Sequence, residues 1–224
     1  MDNGVLKTFS ISRLRKLAGL PAEVGISDDF ILVDIGREND THSGFFRYPC
    51  RIDALTLLFC TSGTMCITVN LKEYEVRPGM VLFNLPDNII QIDYSKNFTA
   101  KSIIVSSGFM KSIHFDLKNA IPLMMQLRDQ VRFSVPESDE KALYQFFDLV
   151  GYAAGLQHSM HKAEIIQGLI SAMIYRISDA VGVMEHAGEV SVKSRRKLYF
   201  EQFISLLTEY HCSERTVGFY ADKI

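Results

Sequence analysis

The chain has 224 residues, of which 47% are hydrophobic and 22% are charged. These fractions are typical of folded soluble proteins and exclude wholesale disorder. No apolar run approaches the ~20 residues that a membrane-spanning helix requires, and the first residues lack the basic and apolar segments of a secretory signal. We therefore expect a cytoplasmic protein of one large domain or two small ones.

The formal net charge of −2 is unevenly distributed. From Ser191 to the end, six Lys or Arg stand against four Asp or Glu, which gives this segment +2 and leaves −4 for the rest. An acidic body with a basic end predicts that a polyanionic partner would bind the carboxyl end. A solvated linker explains so small an asymmetry almost as well.

Residues 1–28 predict an arm with one short helix. Ile11, Leu14 and Leu17 recur at helical spacing, Ser10 can cap the first turn, and a glycine and a proline follow the last apolar position. Polar caps before an apolar stripe and Gly or Pro after it are the usual helix boundaries.

Residues 29–107 change to short apolar runs separated by turn residues. Runs of this length, with turn signals about every 8 to 12 residues, indicate an antiparallel sandwich or barrel. This segment is therefore predicted to be all-β. The runs are 30–35, 54–60, 65–71, 73–76, 80–83, 89–94 and 101–105.

Residues 108–190 predict two helices joined across 155–159, the first entered at Pro136. The apolar stripe of the second helix is wider than one neighbouring element would cover. Part of it is therefore predicted to form a dimer interface, and contact with the sheet alone is the alternative. The predicted interface residues are Leu169, Ile170, Met173, Ile174 and Ile177.

Residues 191–224 predict a polar linker and two further helices. Phe200, Phe203, Leu207 and Tyr210 form one helical face, and Thr216 can cap a second helix with Val217, Ala221 and Ile224 inward. Because that second face would have nothing to pack against, we expect the chain to be cut off inside a longer domain.

This segment resembles the opening of an AraC-type DNA-binding domain, as found in the AraC/XylS family of bacterial transcriptional regulators. The similarity covers Arg196–His211 and Arg215–Ile224. In that family a long first helix precedes a short one carrying an alanine against which the recognition helix packs. Ala221 stands at that position, so the resemblance implies a helix-turn-helix whose packing residues are Phe203, Leu207, Ala221 and Ile224, without the recognition helix.

Residues 43–94 look like the cupin-type sensor barrel of the same family. Leu55–Phe59 is similar to its first core strand, Gly63 to its turn, and Val76–Gly79 to its Pro-Gly strand entry. The resemblance implies an α+β chain with a cupin-like antiparallel barrel, a helical dimerisation region at 108–190 and the start of an all-α domain.

Catalysis and cofactors are not predicted. Enzymatic cupins hold a metal with an H-x-H pair, and the matching stretch here is Arg51-Ile52-Asp53. Converging imidazole or carboxylate ligands are required for a metal site, and no nucleophile or phosphate-binding motif occurs. The four cysteines form no C-x-x-C pair and are read as reduced structural residues.

A small-ligand pocket is predicted from the strand period of two. Alternate residues from 51 to 59 share one face, and if that face lines the barrel, Arg51 and Asp53 lie at its mouth. An ion pair between these two above a filled barrel is the alternative. The predicted pocket residues are Arg51, Asp53, Leu55, Leu57, Phe59, Asn84 and Tyr94.

The predicted function is the effector-sensing and dimerising part of a transcriptional regulator that binds DNA in its full-length form. The predicted effector is a small molecule such as a carbohydrate or metabolite, and the predicted assembly is a homodimer away from membranes. The alternatives are a metal-dependent cupin-fold enzyme and a dimeric activator that binds no effector.

Overall fold

The computed structural model describes residues 6–21, 25–36, 46–113, 123–128, 130–187, 195–210, 213–214 and 216–224. None of the helices within these ranges combines the length and the apolar character needed to cross a membrane. The elements in chain order are β1 (Lys7–Phe9), α1 (Ile11–Leu17), β2 (Phe30–Ile35), β3 (Cys50–Ile52), β4 (Leu55–Val69), β5 (Lys72–Val76), β6 (Met80–Asn84), β7 (Ile89–Val105), α2 (Ser107–Ser112), α3 (123–128), β8 (Arg132–Ser134), α4 (Glu137–Gly155), α5 (Lys162–Ala187), α6 (Arg195–Tyr210) and α7 (Val217–Ala221).

The strands form one sheet in the order β1-β3-β7-β4-β6-β8, with β2 added to β7 and β5 added to β4. Neighbouring strands are antiparallel except for β1 and β3, which are parallel. Together with the helices that follow, this sheet confirms the predicted α+β class.

Strands β4 and β7 are much longer than the sequence predicted, at 15 and 17 residues. The break predicted at residues 61–63 is wrong, because the chain stays in the sheet and shifts register around Ser62. Gly63 has a φ of +70°, and a Cβ there would lie 2.1 Å from the carbonyl oxygen of Asn97. A bulge with glycine at its tight position bends a strand without ending it. Residues 61–63, which the sequence indicated as a turn between two strands, therefore form a bend within one strand.

This bend lets each long strand pair with different partners along its length. The first half of β4 pairs with β6 and its second half with β5, whereas β7 pairs first with β3 and then with β2. The sheet thereby curls around an interior.

Two strands of the sheet lie outside the segment predicted to be all-β. β1 comes from the predicted arm, and β8 from the predicted helical region. Each has three residues, which is too short to show an alternating pattern. Their positions at the ends of the strand order could be assigned only once the sheet was assembled.

One face of the sheet packs against helices. Leu55, Leu57 and Phe59 of β4 belong to the same buried cluster as the inward residues of α4 and α5. The Phe59 ring stacks on Phe147 of α4 at 6.1 Å between centroids and meets Tyr144 edge-on at 5.2 Å. Aromatic contacts of this kind add stability beyond the area they bury.

Helices α4 and α5 form the predicted hairpin, and α4 begins directly after Pro136 as expected. Asp139, buried in the first turn of α4, accepts a hydrogen bond from Arg176 of α5, which ties the two helices together. Four of the five predicted dimer-interface residues are buried in the chain's own core, and Leu169 packs against it. Their side chains therefore offer no free surface to a second copy, which corrects that prediction; the four are Ile170, Met173, Ile174 and Ile177.

Helices α6 and α7 form the predicted pair, and the predicted packing residue Phe203 is part of the contact between them. Phe203 meets Tyr220 edge-on at 5.6 Å, and Leu207 is half-buried. Ala221 and Ile224 are exposed, and the packing role expected of them against a recognition helix stays a prediction. The buried residue of α7 is Tyr220, whose ring packs beside α6.

Candidate ligand cavity

The opposite face of the sheet surrounds a cavity of about 200 Å³. Its walls come from α1, the ends of β2 and β3, and the curled strands β4, β6 and β7. Most of the lining is aliphatic or aromatic, and a few polar residues interrupt it. The lining residues are Leu14, Leu17, Ala18, Val33, Asp34, Ile35, Gly36, Phe46, Ile52, Thr56, Leu58, Met65, Ile67, Leu82, Asn84, Ile90, Ile92, Ser95, Phe98, Ser102 and Ile104.

Three polar side chains converge on the wall from three adjacent strands. Thr56 of β4 lies directly opposite Asn84 of β6. Ser102 of β7 is paired with Leu58, two residues along from Thr56, so it is the diagonal neighbour of Thr56 across the other edge of β4. Side chains opposite one another in a sheet have Cβ atoms about 5 Å apart, and diagonal ones about 7 to 8 Å.

The polar atoms of Thr56 and Asn84 are buried without hydrogen-bond partners. Thr56 is 8% exposed and Asn84 is 4% exposed. Within the part of the chain that the structure describes, neither Thr56 Oγ1 nor the Oδ1 and Nδ2 atoms of Asn84 bond another protein atom. Buried polar groups in folded proteins are almost always paired, so three such atoms on one cavity wall point to a role in binding.

Exposure divides the lining into two ends. Thr56, Asn84 and Ser102 lie at the buried end, where Ser102 is 1% exposed. Phe98 is half-buried and Ser95 is exposed, so the other end approaches solvent. A molecule in this cavity would therefore meet apolar side chains along most of its length and hydrogen-bonding groups at the buried end.

The cavity carries little charge. Among its described lining residues there is no Lys, Arg or His. The acidic residue in the lining, Asp34, has a side chain 62% exposed that pairs with Lys101 at 3.5 Å. Positive charge is thus absent from the described walls, and the negative charge of Asp34 is partly balanced outside them.

Two buried thiols lie in the same apolar cluster as the cavity walls. Burial raises the pKa of Cys50 and of Cys60 from 9.0 to about 11. Neither cysteine forms a disulfide. Because their pKa values are raised, both thiols are neutral near neutral pH and act as packing groups rather than nucleophiles. Cys66 is also a free thiol, and Cys212 lies outside the described residues.

Helix α1 closes one side of the cavity and is held there by its arginine. Arg15 is buried and donates to the backbone oxygens of Pro21 at 2.9 Å, Ser27 at 2.5 Å and Phe30 at 3.3 Å. These bonds tie the helix to the start of β2. The neighbouring Leu14 of the helix lines the cavity.

Of the seven pocket residues predicted from the sequence, Asn84 lies in the cavity. The expectation that the odd-numbered face of β4 lines the interior is wrong, because Leu55, Leu57 and Phe59 face α4 and α5. Arg51, Asp53 and Tyr94 are exposed and outside the described lining.

The reason for the error is that residues 55–60 are all buried, so their burial shows no alternation from which to choose a face. Strands covered on both sides have continuous apolar runs. The signal that could have identified the interior face is Thr56, the polar residue within that run.

No metal centre is seen among the described residues: no three His, Cys, Asp or Glu side chains lie close enough together to hold an ion. His158 and His161, the described histidines near the α4–α5 turn, are not part of such a group. His42, His114 and His211 lie outside the described residues.

No protein-family model matches the chain, and no curated protein matches its sequence. Among solved structures, an apo ToxT variant from Vibrio cholerae is similar to this chain. The match covers 89% of this chain and 71% of the ToxT chain, with 9% identity and a TM-score of 0.43. The match to the AraC-like transcriptional activator CuxR covers 87% of this chain and 72% of the CuxR chain, with 9% identity and a TM-score of 0.38. The match to a cupin protein from Bacteroides fragilis covers 39% of this chain and 70% of the cupin chain, with 17% identity and a TM-score of 0.26. At these TM-scores the likenesses establish neither a family nor a function.

Proposed function

We propose that this chain is the effector-sensing part of a transcriptional regulator and that its effector binds in the barrel cavity. The observation that carries the proposal is the pair of buried, unpartnered polar side chains, Thr56 and Asn84, on the wall of an apolar cavity. A largely apolar pocket with a few converging polar groups is the usual form of a small-molecule site.

The regulatory part of the proposal rests on the order of elements and on the carboxyl-terminal resemblance. A barrel, a helical hairpin and a helix pair follow one another as in AraC-type regulators. The segment from Ser191 onward is also the basic part of an otherwise acidic chain. Positive charge on a helical unit favours contact with the phosphates of DNA.

The proposed mechanism needs two copies, because one helix-turn-helix reads only a short stretch of major groove. The effector would act by binding one arrangement of the paired DNA-binding units more tightly than another. A coupling of about 1 to 3 kcal/mol between the two sites is typical of such switches. A dimeric activator that binds no effector would be expected to have a filled barrel interior. The cavity therefore favours a regulator that senses an effector.

The test is DNA binding by the complete product of the gene. We expect one promoter fragment to be bound in preference to unrelated fragments, with an affinity that falls steeply as salt rises. A stable monomer in sedimentation equilibrium, or equal affinity for every fragment, would contradict the proposal.

A further inference from the structure

The cavity's chemistry limits which molecules can occupy it. We infer that its ligand is a small, uncharged, mostly apolar molecule with one polar group that both donates and accepts hydrogen bonds, such as a carboxamide or an alcohol. This inference rests on the proposed function in one respect: both concern a ligand bound in this cavity. It replaces the small molecule expected from the sequence with a narrower chemical class.

The volume of the cavity limits how much of a ligand it can enclose. At about 200 Å³ it is somewhat larger than apolar protein cavities of ~150 Å³ that bind benzene. It therefore holds one ring or a short chain, and a longer molecule would extend through the end that approaches solvent.

The polar group is specified by the side chains that face it. Asn84 presents an unpartnered acceptor, Oδ1, and an unpartnered donor, Nδ2, and Thr56 adds a hydroxyl that can do either. A carboxamide meets the Asn84 amide with one donor and one acceptor, and a hydroxyl can bond either side chain. Ser102, the diagonal neighbour of Thr56, completes the polar end of the wall.

Anionic ligands are disfavoured by the absence of a positive partner. No Lys, Arg or His is found among the described lining residues. Moving an unpaired carboxylate from water into an apolar site carries a large free-energy cost.

Carbohydrates are disfavoured for a related reason. A sugar carries a hydroxyl on almost every carbon, but the polar side chains at the buried end number three among the described residues: Thr56, Asn84 and Ser102. The remaining hydroxyls would be buried against leucine and isoleucine without partners, at a cost in free energy. The carbohydrate named as an example from the sequence is therefore replaced by a neutral amphipathic molecule.

The test uses four probes with the 224-residue chain in isothermal titration calorimetry: benzamide, benzoate, toluene and glucose. Benzamide and benzoate have nearly the same shape and differ in charge, and toluene keeps the ring without the polar group. We expect benzamide to bind most tightly, toluene about tenfold more weakly, and benzoate and glucose not to bind measurably.

Variants locate the binding in the cavity. Asn84→Leu should remove the preference for benzamide over toluene, and Thr56→Val should reduce it. Thr68→Val is the matched control, because Thr68 lies on the same strand with its hydroxyl bonded to Asp93 at 2.8 Å. This control should bind all four probes as the natural chain does.

Tighter binding of benzoate or glucose than of benzamide would overturn the inference. So would binding of none of the probes, or an unchanged preference in both Asn84→Leu and Thr56→Val. DNA binding by the complete gene product is measured separately, so the regulatory proposal can stand or fall independently of this titration.

Discussion

The two faces of strand β4 differ in what they contact, although neighbouring residues supply them. Leu57 faces α4 and α5 in a closely packed cluster with aromatic contacts, whereas Leu58 borders a cavity. Thr56 and Asn84, two of the three described residues with unpartnered buried side-chain atoms, line this cavity. One face thus serves mainly to hold the fold together, and the other gives up packing and hydrogen bonds in a way that suits a binding site.

The largest expected effect is on the free energy of unfolding, and it differs between two leucines that are adjacent on one strand. Leu57→Ala should lower the free energy of unfolding by about 4 kcal/mol, because it opens a hole in a packed core. Leu58→Ala should cost about 2 to 3 kcal/mol, since part of its surface already lacks neighbouring atoms. Urea unfolding of both variants measures the difference; equal losses would mean that the cavity face is packed as densely as the helix face.

Alkaline pH should weaken the cavity side, where the two thiols with raised pKa values lie. A thiol whose pKa is about 11 in the folded chain and 9.0 when unfolded contributes stability below pH 9 that is lost as pH rises toward 11. The expected loss across this window is about 2 kcal/mol per thiol.

The matched variant for this prediction is Cys50→Ala combined with Cys60→Ala. Its unfolding free energy, followed by urea titration at several pH values, should fall less between pH 9 and pH 11 than that of the natural chain. Equal slopes would show that the buried thiols do not govern the alkaline loss.

Removing an unpartnered polar group from the cavity wall should increase stability. Asn84→Leu replaces a buried amide that has no described partner with an apolar group of similar size, for an expected gain of about 1 to 2 kcal/mol. Thr61→Val is the control, because the Thr61 hydroxyl is hydrogen-bonded to Thr99 Oγ1 at 2.6 Å. Thermal unfolding should rise for the first variant and fall for the second; a loss in both would mean that the Asn84 amide is satisfied in the folded chain.

The smallest expected effect is at the β4–β5 hairpin, which belongs to neither face and provides a baseline. Asn70 and Leu71 form a two-residue turn with φ values of +49° and +69°, and the Leu71 side chain is 97% exposed. Leu71→Gly should stabilise the chain by about 0.5 to 1 kcal/mol, because glycine suits this turn and no packing is lost. Lys72→Gly, one residue into the strand, should instead lower the thermal midpoint.

Patterns within single elements were predictable. The period of apolar residues located α1, the α4–α5 hairpin and the α6–α7 pair, and turn residues indicated an antiparallel sheet. The length of β4 was not predictable, since a glycine at a turn and a glycine at a bulge look alike in sequence. The difference lies in Asn97, whose backbone approaches Gly63 from a strand more than thirty residues away.

The cavity shows the same division between local and distant information. That Leu55–Cys60 is a buried strand follows from its own residues, as does the polar nature of Thr56 within it. Which side of that strand meets helices and which meets the cavity depends on α4, β6 and β7, because a strand buried on both faces carries no alternation. The sequence by itself determined the class of elements and their order; only the tertiary structure decided the interior face of β4 and placed Thr56, Asn84 and Ser102 on one wall.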